Sequence, residues 1–287
     1  MKYITINELN NTIRKNLHKI PHNIDFVIGI PRSGMIVASI ISEHLNVPLI
    51  DIDSFCAGAN PTGGGRLYSQ ERTNYGNVLV IDDTCFAGTS MNQAKTKLSV
   101  FNKNFIYMAA YLEGDGDYTL DFWLEDVRPY RDKDFGIVLY EWNIFNHNPH
   151  VSEHCMFDLD GVFCVEPPDE RNTDEYVSYI KNATPLFVSK VIIGGIVTYR
   201  LKKYESITKE WLEKNKIVCN SLKMFEANSW DERRRSGISP AQMKADVYKN
   251  NDSIYLFIES NDEQARKINE LSRKPVLCVE TNTLYGC

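Results

Sequence analysis

The run Val78 to Ser90 reads VLVIDDTCFAGTS and limits the possible fold more than any other stretch. Its apolar start is that of a strand buried on both faces, as in a parallel sheet covered by helices. Asp82 and Asp83 stand at the end of that run. Thr84 to Ser90 then forms a short loop of hydroxyls and small residues, and Met91 to Leu98 can form a helix. Strand, polar loop and helix start make an anion site, because free backbone N–H groups and the helix dipole face one point. Phe26 to Gly34, FVIGIPRSG, repeats the pattern upstream with a turn of Arg32, Ser33 and Gly34. The planar fork of arginine binds phosphate oxygens in pairs.

Two acids followed by an anion cradle suit a ribose phosphate, with the acids on the sugar hydroxyls and the loop on the 5-phosphate. The later segment resembles the phosphoribosyl pyrophosphate (PRPP) loop of type I phosphoribosyltransferases, and the Arg32–Gly34 turn resembles that family's pyrophosphate loop. The resemblance implies PRPP binding by Arg32, Ser33, Gly34, Asp82, Asp83, Thr84, Gly88, Thr89 and Ser90. The family loop usually has threonine where this chain has Ala87, so one phosphate-binding hydroxyl is absent.

The chain has 287 residues, enough for two domains with separate cores. A net charge of -6 argues against broad nucleic-acid binding, so phosphate sites must be local. No stretch is long and apolar enough to span a bilayer, and Met1 to Ile20 lacks a signal-peptide core. The 7 cysteines are scattered singly, which reads as reduced thiols in a cytoplasmic protein.

Ile6 to Ile20 has helical spacing and ends at Pro21. A helix is expected over Met35 to Leu45, strands near Pro48 to Ile52 and Phe105 to Leu112, and a loop over Cys56 to Gly76. The resemblance makes that loop, with Gly63, Gly64, Gly65, Arg66 and Arg72, a lid over the substrate. It also makes Asp121 to Phe145 part of a hood, where Trp142 or Phe145 can stack on a base. Polar Asn146 to Glu153, with Pro149, reads as a linker. The expected domains are therefore 1–150 and 151–287.

A second chemistry starts in Cys155 to Cys164, CMFDLDGVFC. Asp158 and Asp160 are two apart, so on a regular strand they point the same way. Carboxylates held together repel unless a cation or a proton intervenes, and Mg²⁺ is a simple solution. This segment resembles motif I of the haloacid dehalogenase (HAD) superfamily. The resemblance makes Asp158 the nucleophile and Asp160 the acid and base. It also implies phosphoryl contact by Thr198 after the apolar run VIIGGIV, charge balance by Lys244 with Lys249 as the other candidate, and a metal set of Asp158, Asp160 and Glu259. Asn261 and Asp262 follow Glu259 where two aspartates are common in the family. The inserts between motifs leave little or no room for a cap domain.

The expectation is an α/β chain of two Rossmann-like domains with mostly parallel sheets, a type I phosphoribosyltransferase fold followed by a HAD-like fold. The implied function is Mg²⁺-dependent transfer of phosphoribose from PRPP to a nitrogenous base, plus hydrolysis of a phosphomonoester, which the transferase product would itself be. A PRPP-binding regulatory protein with a separate phosphatase for an unrelated sugar phosphate or nucleotide is the other reading. Neither needs nucleic acid or a membrane, and both leave a homodimer open.

Overall fold

The computed structural model describes residues 1–64, 76–116, 118–131, 136–146, 149–171 and 173–286. Gly65, Arg66 and Arg72 of the expected lid lie outside the described residues. The chain divides into two compact units, Met1–Trp142 and Asn143–Cys287.

The first unit contains β1 (Lys2–Ile4), α1 (Ile6–Asn16), β2 (Phe26–Gly29), α2 (Gly34–Leu45), β3 (Leu49–Asp51), α3 (Ile52–Cys56), β4 (Asn77–Cys85), α4 (Thr89–Leu98), β5 (Asn104–Leu112), β6 (Phe122–Asp126) and β7 (Val138–Tyr140). Helix α1 starts with a capping box. The Glu8 N–H donates to Thr5 Oγ1 at 3.1 Å, and the Thr5 N–H donates to Glu8 Oε2 at 2.9 Å. Leu9 and Ile13, four apart, form its buried face.

The main sheet of this unit has the order β3-β2-β4-β5-β6, and all its pairs are parallel. Strand β4 is central. Leu79 and Ile81 enter the core on one face, and Val78 and Val80 the core on the other. This is the period-two alternation of a strand covered on both sides. Burial of each such side chain contributes about 1.5–3 kcal/mol. From β2 the chain moves outward to β3, then crosses to β4 on the other side of β2. The order reverses between β2 and β4, and ligands of open α/β sheets bind outside the carboxyl ends of such strands.

One expectation changes here. Thr84 and Cys85 belong to β4 rather than to the loop, because the β5 ladder continues past the two acids through Thr84↔Tyr111 and Cys85↔Leu112. The loop shrinks to Phe86–Gly88, and Thr89 and Ser90 enter the first turn of α4.

The second unit contains α5 (Pro149–Ser152), β8 (Cys155–Phe157), α6 (Thr173–Asn182), β9 (Gly195–Leu201), α7 (Glu205–Lys214), β10 (Leu222–Phe225), α8 (Trp230–Ser236), α9 (Pro240–Lys249), β11 (Leu256–Glu259), α10 (Asp262–Ser272), β12 (Val276–Cys278) and β13 (Thr283–Tyr285). The sheet order is β10-β9-β8-β11-β12-β13, parallel except for the β12–β13 pair. The chain runs β8, β9, β10 in one direction, then returns to place β11 on the other side of β8. The switch point thus lies between β8 and β11, at Asp158 and Glu259. Met156, Val197 and Phe257 of three adjacent strands pack with α9 and α10 in one core.

Candidate functional site

In the first unit a cleft of about 330 Å³ opens at the switch point. Its lining includes Arg32 and Ser33 after β2, Asp82, Asp83 and Thr84 of β4, and Gly88, Thr89 and Ser90 at the start of α4. Gly88 has φ +76° and caps α4 without a side chain, which leaves the first-turn amides to a ligand. A Cβ on Gly88 would also meet Tyr118 Cβ at 2.4 Å. Gly34 is the exception among the expected PRPP residues, because it does not line the cleft. It is buried at the start of α2, where a Cβ would lie 2.8 Å from the Ile81 carbonyl oxygen, so its contribution is the close seating of α2 on β4.

The two acids differ. Asp82 Oδ1 accepts the Asp83 N–H at 2.9 Å. Burial, and then the Asp83 charge, push the Asp82 carboxyl up to about 8. Asp83 Oδ2 accepts the indole N–H of Trp142 at 2.8 Å. The residue expected to stack on a base therefore donates to the acidic pair. Phe145, the other stacking candidate, belongs to the second unit, where its ring stacks on Phe187 at 4.0 Å. Across the loop, Arg131 lies 4.6 Å from the Phe86 ring and donates to Glu113 at 2.6 Å, bracing the loop tip.

The Asp82 environment gives a pH-dependent expectation. An unfolded aspartate titrates near about 3.9. Between that pH and about 8 the folded chain holds the extra proton, so stability falls as pH rises through this window and levels off above it. Asp82→Asn removes that loss. Its melting temperature is expected to exceed that of the parent by about 2–4 °C or more at pH 8.5, with a smaller gain at pH 4.5. Equal gains in melts at the two pH values would contradict the buried, proton-holding state.

In the second unit a cleft of about 290 Å³ is lined by Asp158, Asp160, Arg200 and Lys244, among others. Strand β8 ends at Phe157, so Asp158 and Asp160 leave the sheet on a turn closed by Gly161 at φ +78°. A Cβ on Gly161 would lie 2.3 Å from Ser260 Oγ. Lys244 is 2% exposed and donates to Asp158 Oδ2 and Glu259 Oε2, both at 2.7 Å, and to Gln264 Oε1 at 3.0 Å. Burial opposes its charge, but Asp158 and Glu259 outweigh it and hold the ammonium above its usual range. Burial in turn raises the Asp158 carboxyl, with Lys244 opposing.

Asp160 is gripped separately. Fully buried Arg200 donates to both of its oxygens, at 2.5 Å from Nη2 and 3.0 Å from Nε, and Tyr179 donates at 2.8 Å. Glu259 Oε1 accepts the N–H groups of Ser260 and Asn261. The expected metal set of Asp158, Asp160 and Glu259 is thus gathered around two cations of the chain itself. Among the described residues no three His, Cys, Asp or Glu side chains are grouped to hold a metal ion. This donor set does not fit a divalent ion shared by the three carboxylates. In the first unit the Asp83 charge opposes ionisation of Asp82, and a divalent cation beside the pair would relieve that opposition.

Thr198 also differs from expectation. Strand β9 runs three residues past it to Leu201, which leaves Thr198 inside the sheet and fully buried. Its Oγ1 accepts the Arg200 N–H at 3.3 Å, and it is Arg200 that reaches the cleft. Arg200, Tyr179, Glu170 and Gln264 had no motif to mark them in the sequence. Arg200 could have been flagged as a charged residue at a core-facing strand position.

No curated protein matches the chain. Among solved structures, a purine phosphoribosyltransferase from Pyrococcus horikoshii is 15% identical, covering 49% of this chain and 92% of its own, with a TM-score of 0.34. A Helicobacter pylori xanthine-guanine-hypoxanthine phosphoribosyltransferase is 14% identical, covering 50% and 93%, with a TM-score of 0.36. An orotate phosphoribosyltransferase from Aeropyrum pernix is 16% identical, covering 42% and 70%, with a TM-score of 0.33. In the first unit, residues 3–102 match the family model of the phosphoribosyl transferase domain.

Proposed function

We propose that the first unit transfers phosphoribose from PRPP to a nitrogenous base, and that the second is a HAD-like phosphatase for a phosphomonoester. The transferase reading is carried by the convergence of Arg32, Asp82, Asp83 and the Gly88–Ser90 amides in one cleft of a phosphoribosyl transferase domain. The loop and helix start take the 5-phosphate, and Asp82 and Asp83 the ribose hydroxyls. The bond from C1 to the pyrophosphate oxygen breaks, and the base nitrogen bonds to C1 and releases its proton to solvent. The acidic pair of Asp82 and Asp83 shares a negative charge that stabilises the cationic ribose of the transition state. Mg²⁺ bound to PRPP supplies charge neutralisation of the leaving pyrophosphate.

The phosphatase reading is supported by the burial of Asp158 against Lys244 at a topological switch point. An Asp158 oxygen attacks phosphorus and the ester P–O bond breaks, with the leaving oxygen taking a proton from Asp160. Water then attacks the aspartyl-phosphate and returns a proton to Asp160, and phosphate leaves. Asp160 must release one of its Arg200 bonds to do this. Lys244 balances the charge on the phosphoryl oxygens. The transferase product is itself a phosphomonoester, and linkage in one chain raises its effective concentration at the second site.

The test mixes protein, PRPP, Mg²⁺ and a panel of nucleobases, with products followed by mass spectrometry. One base is expected to yield pyrophosphate, free phosphate and nucleoside. Replacing Asp82 and Asp83 together by asparagine removes charge-assisted hydrogen bonds of about 1.5–3 kcal/mol each, so transfer is expected to fall well over tenfold. A folded double variant that titrates with PRPP as the parent does would refute the assignment of that cleft. Nucleotide as the stable end product would separate the two activities.

A further inference from the structure

Gln264 lines the cleft at Asp158 and has no role in the chemistry above. It belongs to the first turn of α10, where its backbone N–H donates to the cap residue Asn261 at 3.0 Å. Helical side chains lean toward the helix N-terminus, and α10 starts just after β11. The lean therefore carries Gln264 back toward the carboxyl ends of the strands. There its Oε1 accepts from Lys244 at 3.0 Å, on the same ammonium that binds Asp158 at 2.7 Å. An ammonium has donors only, so the atom that faces it must be the amide oxygen. The amide nitrogen is thereby turned away from Lys244. Nε2 has no partner among the described residues and is not enclosed, so its N–H groups are available on the cleft wall.

Several donors of this cleft are already engaged. Arg200 is held by both oxygens of Asp160, and Arg233 pairs with Glu170 and donates to the Tyr199 carbonyl oxygen at 2.6 Å. The Tyr199 hydroxyl donates to the Ile238 carbonyl oxygen. Thr198, whose hydroxyl was expected to meet a phosphoryl group, is fully buried in β9, and its Oγ1 accepts the Arg200 N–H. A phosphoryl group at Asp158 thus meets the charge of Lys244 but no threonine hydroxyl. The Gln264 amide stands on that same lysine and offers a neutral donor in its place.

We propose that Gln264 is a catalytic residue of the second unit, whose Nε2 donates to a non-bridging phosphoryl oxygen in the role that Thr198 cannot fill. Lys244 acts on both partners. It fixes the amide through Oε1, and it balances the charge of the oxygens that Nε2 binds. A donor oriented before the reaction needs no rearrangement as the transition state forms. The inference rests on the phosphatase reading above, and it adds the donor which that reading lacks.

Two variants of the full chain test this. Gln264→Met fills a similar volume without either polar group. Gln264→Glu keeps an acceptor for Lys244 but loses both N–H groups. Hydrolysis of p-nitrophenyl phosphate is followed with Mg²⁺ present. Calorimetry measures binding of inorganic phosphate and of orthovanadate, which takes the five-coordinate shape of phosphorus under attack. In Gln264→Met, kcat is expected to fall on the order of 10²-fold with KM within about threefold of the parent. Vanadate binding is expected to weaken more than phosphate binding, because the donor is placed for the transition state. Gln264→Glu is expected to lose at least as much, although Lys244 keeps its acceptor. Thermal melts identify a variant that fails to fold, and the other then carries the test. A kcat within about threefold of the parent in folded Gln264→Met would overturn the inference. So would loss in Gln264→Met with full activity in Gln264→Glu, since the side chain would then serve only to seat Lys244. Vanadate binding that weakens in Gln264→Met, with no hydrolysis by the parent, would leave the amide standing as an oxyanion donor and overturn the phosphatase reading instead. Neither binding nor hydrolysis by the parent would overturn both.

Discussion

Lys244→Met is expected to destabilise the second unit by about 3–5 kcal/mol, far more than the loss of one packed side chain of that size. Methionine fills much of the same volume, so little of the effect comes from a cavity. The cost comes from Asp158 and Glu259, which lose their shared cation at 2.7 Å while remaining buried. Breaking a buried ion pair by removing one partner typically costs this much, because the other charge stays uncompensated. Adding Glu259→Gln to the same chain removes one stranded charge and is expected to recover part of the loss. Urea unfolding followed by the fluorescence of the buried Trp211 would measure both steps. A Lys244→Met protein within about 1 kcal/mol of the parent would mean that this lysine does not compensate the two buried acids.

Asp158→Asn is expected to abolish phosphate release, by on the order of 10⁴-fold or more, while pyrophosphate release at the first unit persists. An amide has no anionic oxygen to attack phosphorus, but it keeps the size and can still accept from Lys244. The protein should therefore stay folded, and the effect separates chemistry from stability. With PRPP and the accepted base, nucleotide should accumulate in place of nucleoside. Continued phosphate release from folded Asp158→Asn protein would put the nucleophile elsewhere.

The elements around both clefts were largely legible in the sequence. Val78–Ile81 is apolar without interruption and can sit only in a covered strand, and the helical spacing from Ile6 marks α1 before any packing is known. The end of β4 was harder to read, since Thr84 and Cys85 look like loop residues until the β5 ladder is seen to continue past the two acids. Thr198 misled in the same way. An apolar run followed by a hydroxyl suggested a strand end, but the strand keeps going because the polar Arg200 finds Asp160 inside the protein. Partners distant in sequence, such as Arg200 with Asp160 or Glu170 with Arg233, leave no local pattern. The short strands β6 and β7 escaped because each is defined by its neighbours rather than by its own periodicity.

The hydrogen bond from Trp142 to Asp83 bears on how the protein can be taken apart. The last sheet residue of the first unit is Tyr140, and a fragment ending there retains every described strand of that unit. It would also discard the Trp142 indole that donates to Asp83 in the cleft. Loss of activity in such a fragment would then report a missing donor at the cut rather than any need for the second unit. A fragment carried through Trp142 is the shortest that keeps that bond, and comparing the two lengths would isolate what a single ring nitrogen contributes to the site.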